Sequence, residues 1–386
     1  RMIFRYTEAP SFNSLVYEKV LWAAKVKDSQ EPKAAKFKVR DYSQSMRSPE
    51  PPEHLRLRFQ ISRFQIDGRN VHEIAPKSGA LLAGSLAANI LKGASLIGAS
   101  EGAAPPLDPC DADFPASAAE PSCEDGGGGD TRAGSPTVLF LHGGAYVVNA
   151  THPHWRFLAR LVEKTGCRVA APDYPLAPGQ CYADAYHMLR SLYRTLLERE
   201  PRPKIVLMGD SAGGGLALGL ALLIRDEGLP PPETIVMLSP WLDVTMSNPR
   251  IATIDREDPM LNREALVKAG LSWARGANPR KPLISPLYGT FGCLPTMHLF
   301  IGTRDILLAD CRRFRDACHA AGARLAYYEF ERMLHDWMLL DFKEARIASA
   351  QVAAIVAGIE TEDAETAASS EPAKSESTFA AMEAPA

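Results

Sequence analysis

The run of residues with the clearest chemical potential is Gly209-Asp-Ser-Ala-Gly213, which follows an apolar segment and precedes a helical pattern. A serine on a tight turn from strand to helix needs glycine two residues before and after it, because the two backbones approach closely. The dipole of the following helix favours negative charge developing beside Ser211. A phosphate-binding turn is disfavoured, since no Lys follows and the glycine spacing differs from both phosphate fingerprints. The turn therefore predicts Ser211 as a nucleophile.

A second run of interest is His142-Gly-Gly144, directly after the apolar segment Thr137 to Leu141. Two glycines after a strand leave backbone N–H groups free to point at a ligand oxygen, as an oxyanion hole requires. Alone, such a run is also compatible with an ordinary turn. Together with a nucleophile turn further along the chain, it predicts that the amides of Gly143, Gly144 and Ala212 receive an oxyanion.

Six motifs in a fixed order resemble one known family. They are HGGAY at 142–146, DYPLAP at 173–178, GDSAGG at 209–214, SPWLD at 239–243, GTRDIL at 302–307 and MLHDW at 333–337. Over about residues 137 to 340 the chain resembles the hormone-sensitive-lipase branch of the α/β-hydrolase superfamily. The resemblance implies a serine carboxylesterase with an amino-terminal helical cap, acting on esters of short to medium acyl chains.

The chain departs from this family at two places. Gly179 follows LAP where the family usually has Glu, which puts a polar contact near the active-site loop in doubt. The segment 79–136 precedes a strand that the family normally reaches sooner. A receptor-like protein that binds without turnover, and an amide or carbamate hydrolase with the same residues, are the alternative functions.

Three histidines after Ser211 are candidates for its general base. His298 lies inside a predicted strand, and His319 lies in a predicted helix among charged residues. His335 lies in the loop between the last predicted strand and the last helix, where catalytic groups of such sheets gather. His335 is therefore the predicted base.

The predicted acid is Asp305, which follows a buried strand in the turn beginning at Gly302. The chain order of nucleophile, acid and histidine in α/β-hydrolases agrees with this choice. Asp310 and Asp316 are better explained as residues of the next helix. Asp243, after SPWL, also ends a strand and is the alternative acid. In the predicted mechanism His335 takes the proton of Ser211, Asp305 holds the imidazole, and an acyl-enzyme is hydrolysed by water.

These residues are carried by alternating strands and helices between about 136 and 358. Crossover connections of this kind predict an α/β fold with a mostly parallel sheet covered by helices on both faces. Predicted strands are Thr137 to Leu141, Arg168 to Ala171, Lys204 to Met208, Thr234 to Leu238, Thr296 to Ile301 and Ala323 to Phe330. Predicted helices are His154 to Lys164, Tyr182 to Glu198, Ala212 to Arg225, Asp310 to Ala321 and Trp337 to Ala357.

The remaining chain divides by composition. Residues 1–54 are predicted to be a cap segment with one helix, Phe12 to Val26, and 55–358 the catalytic domain. A Gly-, Ala-, Ser- and Pro-rich insertion at 79–136 interrupts that domain, and the acidic tail 359–386 is predicted to be disordered. The apolar part of the insertion, 80–99, is compatible with a membrane-dipping helix, but its glycines and Lys92 favour a short helix or disorder.

Composition limits the partners. Of 386 residues, 43 are Lys or Arg and 46 are Asp or Glu, so the formal net charge is −3 and no basic surplus exists for binding nucleic acid. The seven cysteines are odd in number and form no C-x-x-C pair, and the first 26 residues show no signal-like apolar core, so a cytoplasmic location is predicted. No spacing typical of metal ligands occurs, so we expect no cofactor or metal. The expected partner is a small-molecule ester substrate.

Overall fold

A mostly parallel sheet runs through the middle of the protein and presents the carboxyl ends of its central strands at one edge. The computed structural model describes residues 2–23, 50–77, 135–199 and 203–359. In these ranges the sheet has nine strands in the order β1-β9-β8-β7-β6-β4-β5-β3-β2. The strands are β1 Met2–Tyr6, β2 Phe59–Ile66, β3 Arg69–Pro76, β4 Thr137–Leu141, β5 Arg168–Pro172, β6 Ile205–Asp210, β7 Thr234–Leu238, β8 Met297–Gly302 and β9 Leu325–Phe330.

Helices cover both faces of this sheet. The α-helices are α1 Phe12–Ala23, α2 His152–Thr165, α3 Tyr182–Glu198, α4 Ser211–Asp226, α5 Ile251–Ile254, α6 Arg263–Ala274, α7 Leu308–Ala320 and α8 Lys343–Ala357, with 3₁₀ turns at Glu53–Leu57, Pro286–Tyr288 and Trp337–Leu339. Buried residues of α2 and α8 belong to one hydrophobic core, and those of α3, α4 and α7 belong to the other. The predicted fold class is confirmed.

The apolar runs form strands because their side chains are buried on both faces. In β4, Val138 and Phe140 join the core under α2 and α8, whereas Leu139 and Leu141 join the opposite core. All four are at most 1% exposed. A strand of a parallel sheet covered on both faces therefore appears as an uninterrupted apolar run rather than an alternating one.

Three features at the edges of the fold differ from the expectations. Residues Met2–Tyr6, placed by sequence in a cap segment, form a strand that pairs in parallel with β9. Strands β2 and β3 form an unpredicted antiparallel hairpin, whose turn residues Asp67 and Gly68 have φ of 48° and 72°. The last predicted helix is divided into the 3₁₀ turn Trp337–Leu339 and α8.

The predicted helix in the amino-terminal segment is present as α1 and is anchored to the catalytic part of the chain. Glu18 on α1 pairs with Arg304, the residue before Asp305. The hydroxyl of Ser11 donates a hydrogen bond of 2.7 Å to the carboxylate of Glu344 on α8. The domain boundaries themselves stay predictions.

The predicted insertion 79–136, with its apolar part 80–99, and the predicted tail 359–386 lie outside the described residues apart from 135, 136 and 359. Within the described ranges no helix combines the length and apolar character needed to cross a bilayer. Cysteines 167, 181, 311 and 318 are buried and stand outside disulfides, whereas Cys293 is disulfide-bonded. A disulfide is uncommon in the reducing compartment that the sequence analysis predicted.

Candidate active site

The predicted nucleophile turn lies between β6 and α4. Ser211 is the first residue of α4, is 6% exposed and has a left-handed φ of 52°. A Cβ at Gly213 would lie 1.9 Å from the carbonyl oxygen of Leu141, and one at Gly209 would lie 2.3 Å from the carbonyl oxygen of Gly213. Both glycines are thus required by close backbone approach, as the sequence argument expected.

Asp305 and His335 come from the loops after β8 and β9 and meet in the buried interior. Oδ2 of Asp305 lies 2.8 Å from Nδ1 of His335. The two side chains are 0% and 5% exposed. The loops can approach because β8 ends in Gly302, where a Cβ would lie 2.1 Å from the carbonyl oxygen of Met333.

The imidazole of His335 has a carboxylate at each nitrogen. Nε2 lies 3.0 Å from Oδ2 of Asp336, and no hydrogen bond within the described part of the chain joins His335 to the hydroxyl of Ser211. Burial lowers the pKa of His335, but Asp336 and Asp305 outweigh it and hold that pKa well above its usual value. Asp336 follows His335 directly, and the sequence analysis assigned it no role.

A further buried carboxylate shapes the turn that carries Asp305. Asp258 accepts the N–H of Ile306 at 2.9 Å and the N–H groups of Met260 and Leu261 at 2.7 and 2.9 Å. Burial and the charge of Asp305 raise the pKa of Asp258 to about 6. Sequence reasoning missed Asp258 because it lies in a loop without a strand or a motif beside it.

The alternative acid and the alternative bases lie in other surroundings. Asp243 is fully buried and accepts hydrogen bonds from the hydroxyl of Tyr288 at 2.8 Å and the N–H of Thr245 at 2.9 Å. His319 is exposed on α7. His298 lies in β8, where burial lowers its pKa to about 4. Of the two acids considered from sequence, Asp305 contacts His335 and Asp243 does not.

The loop after β4 passes close to the nucleophile turn. Gly144 and Ala145 have φ of 118° and 53°, and Ala145 precedes Tyr146, whose ring stacks on Trp273 at 4.2 Å between centroids. Among the described residues, no turn or loop hydrogen bond uses the N–H of Gly144 as donor.

Gly143 packs against Asp210, the residue before the nucleophile. The backbone of Gly143 contributes to lowering the pKa of the Asp210 carboxyl. A Cβ at Gly143 would lie 2.2 Å from Oδ2 of that carboxylate. That the N–H of Gly143 receives an oxyanion stays a prediction.

Asp210 is also paired with a histidine that the sequence analysis did not single out. Nε2 of His154 lies 3.1 Å from Oδ2 of Asp210, and Nδ1 of His154 accepts the N–H of Thr151 at 2.8 Å. Nε2 therefore carries the proton and donates it to Asp210. Burial raises the pKa of Asp210, but His154, His142 and the amide of Gly143 lower it below its usual value.

No group of three or more His, Cys, Asp or Glu side chains with the arrangement of a metal site occurs among the residues that the structure describes. The groups at this edge of the sheet are Ser211, His335 with the carboxylates of Asp305 and Asp336, His154 with that of Asp210, and backbone amides.

Comparison with known proteins identifies the family of this chain. A family model described as an α/β-hydrolase fold matches residues 138–339, which is more than half of the chain. An esterase of Acinetobacter venetianus is 30% identical over 221 residues, which cover 56% of this chain and 73% of that protein. An acetyl-hydrolase of Streptomyces hygroscopicus is 31% identical over 207 residues, covering 53% of this chain and 69% of that protein.

Solved structures show the same fold. EstE5, crystallised and soaked with p-nitrophenyl butyrate, superposes with a TM-score of 0.68 at 21% identity and covers 90% of this chain and 99% of its own. An esterase of the bacterial hormone-sensitive lipase family superposes with a TM-score of 0.66 at 24% identity, covering 91% of this chain and 99% of its own. These findings confirm the resemblance noted in the sequence. The chain therefore belongs to the α/β-hydrolase family.

Proposed function

We propose that this protein hydrolyses carboxylic esters with Ser211 as nucleophile, His335 as general base and Asp305 as the group that orients the base. The observation that carries the proposal is the 2.8 Å contact between Asp305 and Nδ1 of His335, at the edge of the sheet where the strained Ser211 begins α4. The names of the relatives, an esterase and an acetyl-hydrolase, support ester hydrolysis rather than binding alone.

The first half-reaction follows from the tautomer of His335. Because Nδ1–H donates to Asp305, Nε2 is the nitrogen that takes the proton of Ser211 as Oγ attacks the ester carbonyl carbon. The C–O bond to the alcohol then breaks, and the imidazolium returns the proton to the leaving alkoxide. In the second half-reaction water attacks the acyl carbon while Nε2 takes its proton. The bond from that carbon to Oγ of Ser211 then breaks, and the imidazolium returns the proton to Oγ as the acid leaves.

The oxyanion of each tetrahedral intermediate needs donors that the protein does not already use. The amides of Gly144 and Ala212 meet this condition in the described structure, and the conformation of Ala145 adds its amide as a third candidate. Gly143, whose backbone lies against the carboxylate of Asp210, is the donor proposed from sequence beside Gly144 and Ala212.

The acyl specificity that we propose is for short to medium chains. Its support is indirect: one relative is named an acetyl-hydrolase, and EstE5 was soaked with a butyrate ester. An amide or carbamate substrate would use the same residues and differ only in the leaving group. The cytoplasmic location stays a prediction, which the cysteines outside disulfides favour and the disulfide of Cys293 disfavours.

The test is turnover of p-nitrophenyl esters from acetate to palmitate, with labelling by a fluorophosphonate. Ser211→Ala should lower kcat by about 10⁴ to 10⁶ and abolish labelling, because residual catalysis then comes only from binding and the oxyanion donors. The variant should unfold at the temperature of the unmodified protein, since Ser211 contributes little side-chain packing. Labelling of a different serine, or binding of esters without turnover, would contradict the proposal.

A further inference from the structure

Asp336 occupies an unusual position beside the proposed base. It has a left-handed φ of 50°, and its N–H donates a 3.2 Å hydrogen bond to the hydroxyl of Ser239 in the loop after β7. Its Oδ2 lies 3.0 Å from Nε2 of His335, and its side chain is 14% exposed. Within the described structure its other carboxylate oxygen, Oδ1, is buried and has no hydrogen-bond partner. A buried carboxylate is thus held against the nitrogen that the proposed mechanism needs.

The contact fixes the number of protons on His335. Nδ1–H donates to Asp305, so a neutral imidazole has a bare lone pair at Nε2. A carboxylate oxygen 3.0 Å from that lone pair is stable only with a proton between the two atoms. This proton must leave, or Asp336 must turn away, before Nε2 can accept the proton of Ser211.

The surrounding charges oppose the ionisation of Asp336. The ionisable groups that face it are His335 and three side chains from other elements: Asp210 at the end of β6, Asp305 after β8 and His154 on α2. Burial raises the pKa of Asp336 to about 7, with Asp210 and Asp305 adding to the rise against the effect of His335. The proton shared by Asp336 and His335 therefore stays bound up to near-neutral pH, and the two groups titrate together.

We propose that Asp336 is a positioning residue that keeps a proton on Nε2 of His335 in the resting enzyme and thereby sets the lowest pH at which the base is available. The inference rests on the proposed function, because it takes His335 as the base of ester hydrolysis. It adds a second carboxylate to the serine, histidine and Asp305 arrangement, at the other nitrogen of the imidazole. Asp305 makes His335 a better base in the correct tautomer, whereas Asp336 occupies the nitrogen that acts.

The first consequence concerns the unmodified protein. A histidine with no second carboxylate would show an acid limb of kcat/KM near its ordinary pKa of about 6.5. With Asp336 in contact, the acid limb should lie above pH 7. An acid limb at or below pH 6.5 would overturn the inference without any substitution being made.

The second consequence is measured with two variants. An opposite charge in contact shifts a pKa by about 1 to 3 units, so removing the carboxylate should move the acid limb down by at least about one pH unit. Asp336→Asn keeps the shape of the side chain, and Asp336→Gly removes it. Both residue types adopt the left-handed conformation without large strain.

The two variants separate the effect of the negative charge of Asp336 from the effect of a side chain that occupies Nε2 of His335. The side-chain amide in Asp336→Asn donates a hydrogen bond to Nε2 and competes with Ser211, so its plateau rate should fall although its acid limb shifts. Asp336→Gly leaves Nε2 free, so it should show the same shift with a higher plateau. Rates of fluorophosphonate labelling between pH 5 and 9 provide the same profile without dependence on a chromogenic leaving group.

Asp341→Asn is the matched control, because it removes one negative charge from an exposed side chain that pairs with Arg346. Its acid limb should coincide with that of the unmodified protein. Unshifted limbs in both Asp336 variants, or a shift of equal size in Asp341→Asn, would overturn the role of Asp336 while leaving the proposed function intact. Absence of ester turnover and of labelling in the unmodified protein would instead overturn the proposed function.

Discussion

Replacing Asp305 by Asn tests the geometry of the site most directly, because the change leaves the size of the side chain almost unaltered. Oδ1 of Asp305 accepts the N–H of Leu307 at 2.9 Å, and Oδ2 faces Nδ1 of His335 at 2.8 Å. An Asn side chain has a single oxygen, which must remain on the N–H of Leu307 because two donors would otherwise meet. Its NH₂ group is therefore forced to face Nδ1.

This orientation reverses the tautomer of His335. Nδ1 has to accept, so the ring proton moves to Nε2, which then cannot take the proton of Ser211. The expected loss in kcat is about 10³ to 10⁴, as for a triad aspartate replaced by its amide. At about 1.4 kcal/mol for each factor of ten, the transition state loses about 4 to 5.5 kcal/mol.

The assay is kcat for p-nitrophenyl butyrate at pH 8, together with thermal unfolding to show that Asp305→Asn folds. Asp243→Asn is the control, because Asp243 is the alternative acid and is equally buried. That change leaves the hydroxyl of Tyr288 without its charged acceptor and should cost about 1 to 3 kcal/mol of stability with kcat little changed. A loss below tenfold in Asp305→Asn, or a larger loss of kcat in Asp243→Asn, would refute the reasoning.

Two further substitutions test the packing around the site. Gly213→Ala should destabilise the protein and abolish fluorophosphonate labelling, because the new Cβ would lie 1.9 Å from the carbonyl oxygen of Leu141. Gly292→Ala is the control: its Cβ would have no atom within 4 Å, so stability and labelling should stay unchanged. The second substitution is at Asp310, whose Oδ1 accepts a 2.9 Å hydrogen bond from Asn248. Its Oδ2 is buried and unpartnered in the described structure, and burial raises the pKa of this carboxyl to about 6. The pKa of Asp310 in the folded protein lies above its value near 3.9 in the unfolded chain. Protonated Asp310 therefore makes its full contribution to the free energy of unfolding below about pH 4, and this contribution is lost as the pH rises through 6. Asp310→Asn should therefore be more stable than the unmodified protein at pH 8 by up to about 3 kcal/mol, a difference that closes near pH 4; equal denaturant midpoints at pH 8 would contradict this.

The central strands were predictable because burial on both faces gives each of them a continuous apolar run. β4 and β7 have the predicted bounds, and β5, β6, β8 and β9 differ from them by one or two residues. The edge strands were not predicted, because one side of an edge is solvated and polar residues interrupt the pattern, as in β2 with its exposed charged and amide side chains. β1 exists as a strand only because β9 offers it an unpaired edge.

The nucleophile turn was also visible in the sequence, for a local reason. Glycine is required at 209 and 213 because of close contacts within the turn and with the neighbouring strand. A requirement of this kind produces a short motif that can be recognised in the sequence. The positions of Asp305 and His335 after strands were inferred in the same way, from the rule that loops at the carboxyl ends of strands meet.

By itself, the sequence determined the fold class, the order of the central strands along the chain and a short set of candidate side chains. Only the tertiary structure decided which side chains touch: that Asp305 meets Nδ1 of His335, that Asp336 meets Nε2, and that Asp210 meets His154. Hydrophobic periodicity and sequence motifs indicate, to the nearest residue, which face of a helix or strand is buried. A hydrogen bond is decided within a few tenths of an ångström, by loops from different strands and by the fields of buried charges, and these exist only when the chain is folded.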